Sequence, residues 1–253
     1  MTSSTTASLL RLAAERATGA LMGRAGTLFL VDGAVVHAES PAATGVDVLL
    51  TTGGRLAYDS WQAAVDQAGA RRSVGRFLAD SGLLAVGELE ICHLSALFDA
   101  SYFVLSDKGA TRFRHGAEHW FGPLRPVRAS LVERESRRCR QLLENLWPFP
   151  QVDTEPVMPR RVAESPALSH RSRQVLDLAN GELTASRIAQ LLGRPAFHVL
   201  VDVRRLAAMG LVDTPSATPP RPVAPVGPWT ADTPVDPDVE LLRRVRDALE
   251  ARL

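Results

Sequence analysis

Gly181–Val212, GELTASRIAQLLGRPAFHVLVDVRRLAAMGLV, is the stretch on which the fold of the C-terminal half turns. Its apolar spacing predicts two helices around a tight turn at Gly193. Ile188, Leu191 and Leu192 give the first helix one apolar face, Pro195 suits the opening of the next, and Val199, Val203 and Leu206 continue an inward stripe. Gly210 then supplies a flexible stop before the closing Leu211-Val212. This is the pattern of a winged-helix-like, helix-turn-helix module. Its role depends on the outer face of the second helix, because a DNA reader needs side chains that reach base edges or phosphates.

That face is weakly charged. From Ser165 to Asp213 the chain carries six arginines (171, 173, 187, 194, 204 and 205) against Asp177, Glu182, Asp202 and Asp213. Neutralising several phosphates requires Arg187, Arg194, Arg204 and Arg205 to act together. Ser186 and His198 complete the candidate nucleic-acid contacts. Asp202, on the same helix, would repel phosphates, whereas Phe197 and Val201 on its outward side give the character of a protein-binding surface. After Val212 the chain runs directly into Asp213-Thr-Pro-Ser, so no second strand is expected to complete a wing.

On its N-terminal side, prolines 148, 150, 156, 159 and 166 predict a linker over 148–166, separating a domain at 1–147 from one at 167–213. On its C-terminal side, residues 214–237 hold eight of the 17 prolines and predict a semi-extended spacer. An amphipathic helix over 238–253 follows, with Leu242, Val245 and Leu249 on one stripe. Alone in water so short a helix is marginal, so it is expected to dock on its own chain, a second copy or another protein.

The first domain mixes helix and strand, which makes the chain α+β. Thr5 to Arg16 has helical spacing behind a Ser/Thr-rich cap. TLFLVDGAVVHAES then places β-favouring residues on both sides of Asp32-Gly33, a dipeptide suited to a two-residue hairpin turn. Short helices are expected from Gly45 and over Trp61 to Ala68, then a helix, a turn at Gly82 and a long helix. Ala110 to Phe121 reads as extended and Pro126 to Leu146 as helix, ending at Trp147-Pro148.

These pieces, in this order, resemble the PATAN family, a domain fused to bacterial response-regulator receivers and other signalling modules. The resemblance spans roughly Leu9 to Leu146: a first helix running into ATGAL, the hairpin TLFLVDGAVVHAES, GRFLADSGLLAVGELE, the segment TRFRHG, and the Glu/Arg-rich helix ending VERESRRCRQLL. Members are often followed by a small helix-turn-helix-like module, which Leu168 to Val212 resembles. The resemblance implies regulation through protein interaction without a catalytic site. A receiver domain, present in many members, is missing from the sequence.

Composition narrows the classes of function. With 253 residues, 45% hydrophobic and 23% charged, the chain has the make-up of a globular protein. The net charge is +1, from 29 basic and 28 acidic residues, so no global field draws it to nucleic acid or an anionic membrane. Lys108 is the single lysine. Cys92 and Cys139 both sit on apolar helix faces, as reduced core thiols do. The N-terminus lacks the features of a signal peptide, and no stretch reads as about 20 consecutive apolar residues, so a cytoplasmic location is expected.

The strings that look catalytic give way to plainer readings. His115-Gly-Ala-Glu118-His119 matches the H-x-x-E-H zinc pattern, which works only on a helix. Here β-branched and aromatic residues precede it and Gly116 interrupts it, so a hairpin turn with partly exposed histidines is expected. Gly53-Gly54 lacks the third glycine and the lysine of a phosphate cradle. Cys92 and His93, adjacent on a helix, point about 100° apart, too far for the imidazole to activate the thiol. Arg134, Arg137, Arg138 and Arg140 are interleaved with Glu133, Glu135 and Glu144, which neutralise the helix locally. No catalytic, cofactor-binding or metal-ligating residue is therefore assigned. The function expected is that of a non-enzymatic signalling or regulatory adaptor with a regulatory protein partner. The alternative is a DNA-binding transcriptional regulator, as a homodimer that doubles the weak charge.

Overall fold

Ser4 accepts a hydrogen bond from the Ala7 amide (3.2 Å) and so opens helix α1 (Thr5–Ala14). The computed structural model describes residues 4–160, 162 and 166–213. Strands β1 (Gly19–Gly23), β2 (Gly26–Val31) and β3 (Ala34–Glu39) form an antiparallel meander. The β2–β3 hairpin turns at Asp32 and Gly33, with φ 50° and 77°, as the Asp-Gly pair predicts. Helices α2 (Val46–Thr51), α3 (Tyr58–Ala68), α4 (Val74–Asp80) and α5 (Val86–Ser106) follow. Strand β4 (Arg112–His115) joins one sheet edge and β5 (Val127–Arg128) the other, giving the order β4-β1-β2-β3-β5. The chain continues through α6 (Ala129–Leu146), α7 (Gln151–Thr154), β6 (Met158–Pro159), α8 (His170–Leu178), α9 (Ala185–Leu192), α10 (Ala196–Ala208) and β7 (Val212–Asp213). The protein is α+β.

Three apolar clusters organise the described residues. Leu9, Leu12, Leu28, Leu30, Leu97 and Val132 join the sheet to α1, α5 and α6. Trp61, Leu78, Leu89 and Phe121 gather α3, α4 and α5. Ile188, Val199, Val203 and Leu206, read from the sequence as an inward stripe, are fully buried with Leu143 of α6 and Val152 of α7. Leu191, assigned to the same face, is instead exposed.

Two expectations change here. Residues 148–166 were read as a linker, yet in their described part they carry α7, β6 and the buried Val152 and Val157. The prolines are compatible with this because of where they sit: Pro150 caps α7 and Pro159 lies in a two-residue strand, where a missing amide is tolerated. β6 also pairs with β7, so the second strand that the sequence after Val212 did not supply comes from before α8. The described residues all belong to one compact unit. The spacer at 214–237 and the helix at 238–253, with Leu242, Val245 and Leu249, lie outside the described residues.

Helix α5 is also more apolar than the sequence reading allowed. By length and composition it is able to cross a membrane, but 61% of its apolar window is buried inside the protein. A helix packed by neighbours around most of its circumference needs apolar residues there.

Candidate functional site

The candidate residues on α9 and α10 divide sharply by environment. Arg187, His198 and Arg205 are exposed and Ser186 is half-buried. Arg204, placed among the DNA contacts from sequence, is buried. Its guanidinium donates to Asp153 Oδ1 (2.8 Å) and Oδ2 (2.5 Å), and to the carbonyls of Leu143 and Trp147. A buried fork with four of its five N–H groups engaged is not presented to a phosphate. Arg194 donates to the buried Asp202 (2.6 Å), which also accepts from Ser172 Oγ (3.3 Å). Asp202 therefore does not face solvent to repel phosphates. It neutralises Arg194 inside the fold.

Val201 and Phe197 were read as an outward protein-binding face. Val201 is buried, and the half-buried Phe197 ring lies 5.3 Å from Tyr102 of α5. Val201 thus packs inside the fold, while Phe197 also borders the groove between α5, α6 and α10. The docking is fixed at the start of α10, where Pro195 offers no side-chain hydrogen bond to cap the helix. Asp99 of α5 takes that place across the fold: its carboxylate accepts from the amides of Ala196 (2.8 Å), Phe197 (2.7 Å) and Thr44 (3.1 Å). Thr44 Oγ1 in turn donates to the Arg194 carbonyl (2.8 Å). Burial pushes the Asp99 carboxyl up to about 6, with the three amides pulling against it. Gly193, in the left-handed region at φ 61°, closes the contact; a Cβ there would lie 2.5 Å from the Gly53 amide nitrogen.

A second polar cluster lies on β3 and in the segment after β4. His37 and Glu39 are two residues apart on β3 and so share a face of the strand. His119 joins them from the far end of the H-x-x-E-H string. Its Nε2 donates to Glu39 Oε1 (2.7 Å), its Nδ1 accepts from the Phe121 amide (3.2 Å), and its ring stacks on His37 at 3.8 Å and 13°. His37 Nδ1 lies 3.2 Å from Nε2 of His93 on α5. The three histidines are buried and Glu39 is half-exposed by its side chain. Burial, then His119 and His93, hold His37 well below the ordinary histidine range, and burial brings His93 down to about 4. The hydrogen bond from His119 lowers Glu39. A cavity of about 520 Å³, bordered by His37, Glu39, Ser40, Thr44 and Trp120, opens beside them.

The string that prompted the metal question is broken up by the fold. His115 is exposed on β4, Glu118 pairs with Arg72 (2.8 Å), and only His119 enters the cluster. The expectation of partly exposed histidines thus fails for His119, which the aromatic rings of Phe29 and His37 enclose. Sequence reasoning missed His37, Glu39, Asp99 and Asp153. A His-x-Glu pair on a strand was a usable signal for one face, but nothing local joins it to a histidine 80 residues away. Chemically, the cluster offers two imidazoles and a carboxylate with donor atoms within 4.8 Å of one another. Compared with protein-family models, with curated proteins and with solved structures, the chain matches none.

Proposed function

We propose that the chain is a non-enzymatic, cytoplasmic regulatory adaptor, built from a PATAN-like α+β part and a winged-helix-like part, that acts through protein–protein interaction. The observation that carries this reading is the burial of α10. Its Arg204 and Asp202 are consumed by Asp153 and Arg194, and its N-terminus is capped by Asp99, so the helix that a DNA reader would present is an internal structural member. The exposed apolar side chains of Ile91 and Leu131, at the mouth of a groove of about 450 Å³ between α5, α6 and α10, are the kind of surface that a protein partner covers.

The test is in-cell crosslinking with mass spectrometry beside genome-wide chromatin pulldown. The wild type is compared with Ile91→Asp/Leu131→Asp and with Arg187→Ala/Arg205→Ala. A defined protein partner that is lost in the first variant and kept in the second supports the adaptor. Discrete DNA peaks that vanish in the Arg187/Arg205 variant overturn it in favour of a transcriptional regulator using the exposed edge of α9 and α10.

A further inference from the structure

We propose that His37, Glu39 and His119 bind a divalent first-row transition metal ion. Two imidazoles and one carboxylate, with open positions for water, form a donor set that Fe²⁺, Co²⁺ or Zn²⁺ accepts. Mg²⁺ and Ca²⁺ favour all-oxygen surroundings and are poor candidates. The donor atoms already lie within 4.8 Å of one another. Two of the three ligands are held by the sheet, since His37 pairs with Phe29 and Glu39 with Thr27 in the β2–β3 ladder.

The surroundings of His37 resemble those of a ligating histidine. Its Nδ1 faces His93 Nε2, while the other ring nitrogen of His93, Nδ1, is buried without a well-formed hydrogen bond. A proton on His93 Nδ1 makes His93 Nε2 an acceptor. His37 then donates through Nδ1 and keeps a lone pair on Nε2, the orientation that a ring partner imposes on metal-bound histidines. His93 is thus a positioning residue. The 520 Å³ cavity supplies an entry path and room for coordinated water beside His37 and Glu39.

Binding rearranges His119. Its Nε2 proton now occupies the hydrogen bond to Glu39, and its Nδ1 accepts from Phe121. The metal takes the place of that proton; the ring carries its proton on Nδ1, parts from the Phe121 amide and turns out of the parallel stack on His37, whose lone pairs do not converge with its own. Glu39, half-exposed, follows the ion. This inference does not depend on the adaptor reading, because an adaptor and a DNA-binding protein both accommodate a metal-responsive site.

The experiment titrates tag-free, metal-stripped full-length protein with Co²⁺, follows the ligand-field absorption, and then displaces Co²⁺ with Zn²⁺. The expected result is saturation at one ion per chain with micromolar or tighter affinity. Glu39→Gln and His119→Ala are expected to weaken binding by at least about tenfold, and His115→Ala to leave it unchanged. Burial of His119 makes its loss a risk to folding, so Glu39→Gln, checked by circular dichroism, carries the result alone if His119→Ala is unstable. The absence of a saturable Co²⁺ signal in the wild type overturns the proposal. So does equal affinity in folded Glu39→Gln.

Discussion

Two sets of buried polar side chains each include a residue of α5, His93 in one and Asp99 in the other, and the protein treats them differently. Around α10 three buried charges are answered: Arg204 by Asp153 and two carbonyls, Asp202 by Arg194 and Ser172, and Asp99 by three amides. Around β3 the three histidines are surrounded mainly by aromatic rings, their one carboxylate is half-exposed, and a cavity opens alongside. Fully satisfied polar networks specify how parts of a fold dock. Polar groups gathered beside open space, with donor capacity to spare, mark where something else is received.

The largest effect expected is at the satisfied set. Arg204→Ala leaves the Asp153 carboxylate and two carbonyls without their partner, and loss of one member of a buried pair costs about 3–5 kcal/mol. Urea unfolding measures it. Converting the pair together, Arg204→Met with Asp153→Leu, should return most of that loss. A cost below about 1 kcal/mol for Arg204→Ala would show that α10 does not depend on this ion pair.

Acid should separate the two sets by sign. Asp99 has its folded pKa raised from the ordinary 3.8 to about 6, so its stabilising contribution is full below 3.8 and is lost as pH rises through 6. His93 is depressed from 6.5 to about 4, so its contribution is full above 6.5 and is lost as pH falls through 4, with His37 acting in the same direction. Each shift corresponds to about 3 kcal/mol, and in the wild type the two largely offset one another between about pH 4 and 6.5. Asp99→Asn should leave a protein that weakens steadily toward acid over that window, and removal of both depressed histidines, His37→Phe with His93→Phe, one that strengthens. Unfolding curves across the window decide it; if both variants slope the same way, the contrast between the sets is wrong.

The smallest effect is expected outside both. Arg137, paired with Glu133 on the exposed side of α6, should cost no more than about 0.5 kcal/mol on change to Ala. A larger loss in the same urea assay would mean that this face is covered by something in solution.

Sequence alone determined what is set by neighbours along the chain. The Asp32-Gly33 turn, the Thr184 cap of α9 with its bond from the Arg187 amide, the Gly193 stop and the stripe Val199, Val203 and Leu206 all express backbone and periodicity rules that act within a few residues. The outer face of α10 was legible as weakly charged, but the sequence did not reveal that Phe197 packs against Tyr102 of α5. Residues 148–166 looked like a spacer because proline density is local, whereas the burial of Val152 and Val157 and the pairing of β6 with β7 are not. Tertiary structure alone decided which polar groups meet: Asp99 with Ala196 across 97 positions, Arg204 with Asp153 across 51, and His119 with Glu39 across 80. The physical reason is that a charge or imidazole has no preferred sequence distance to its partner. Folding brings the partner near, and only then do desolvation and hydrogen bonding determine what each group is able to do.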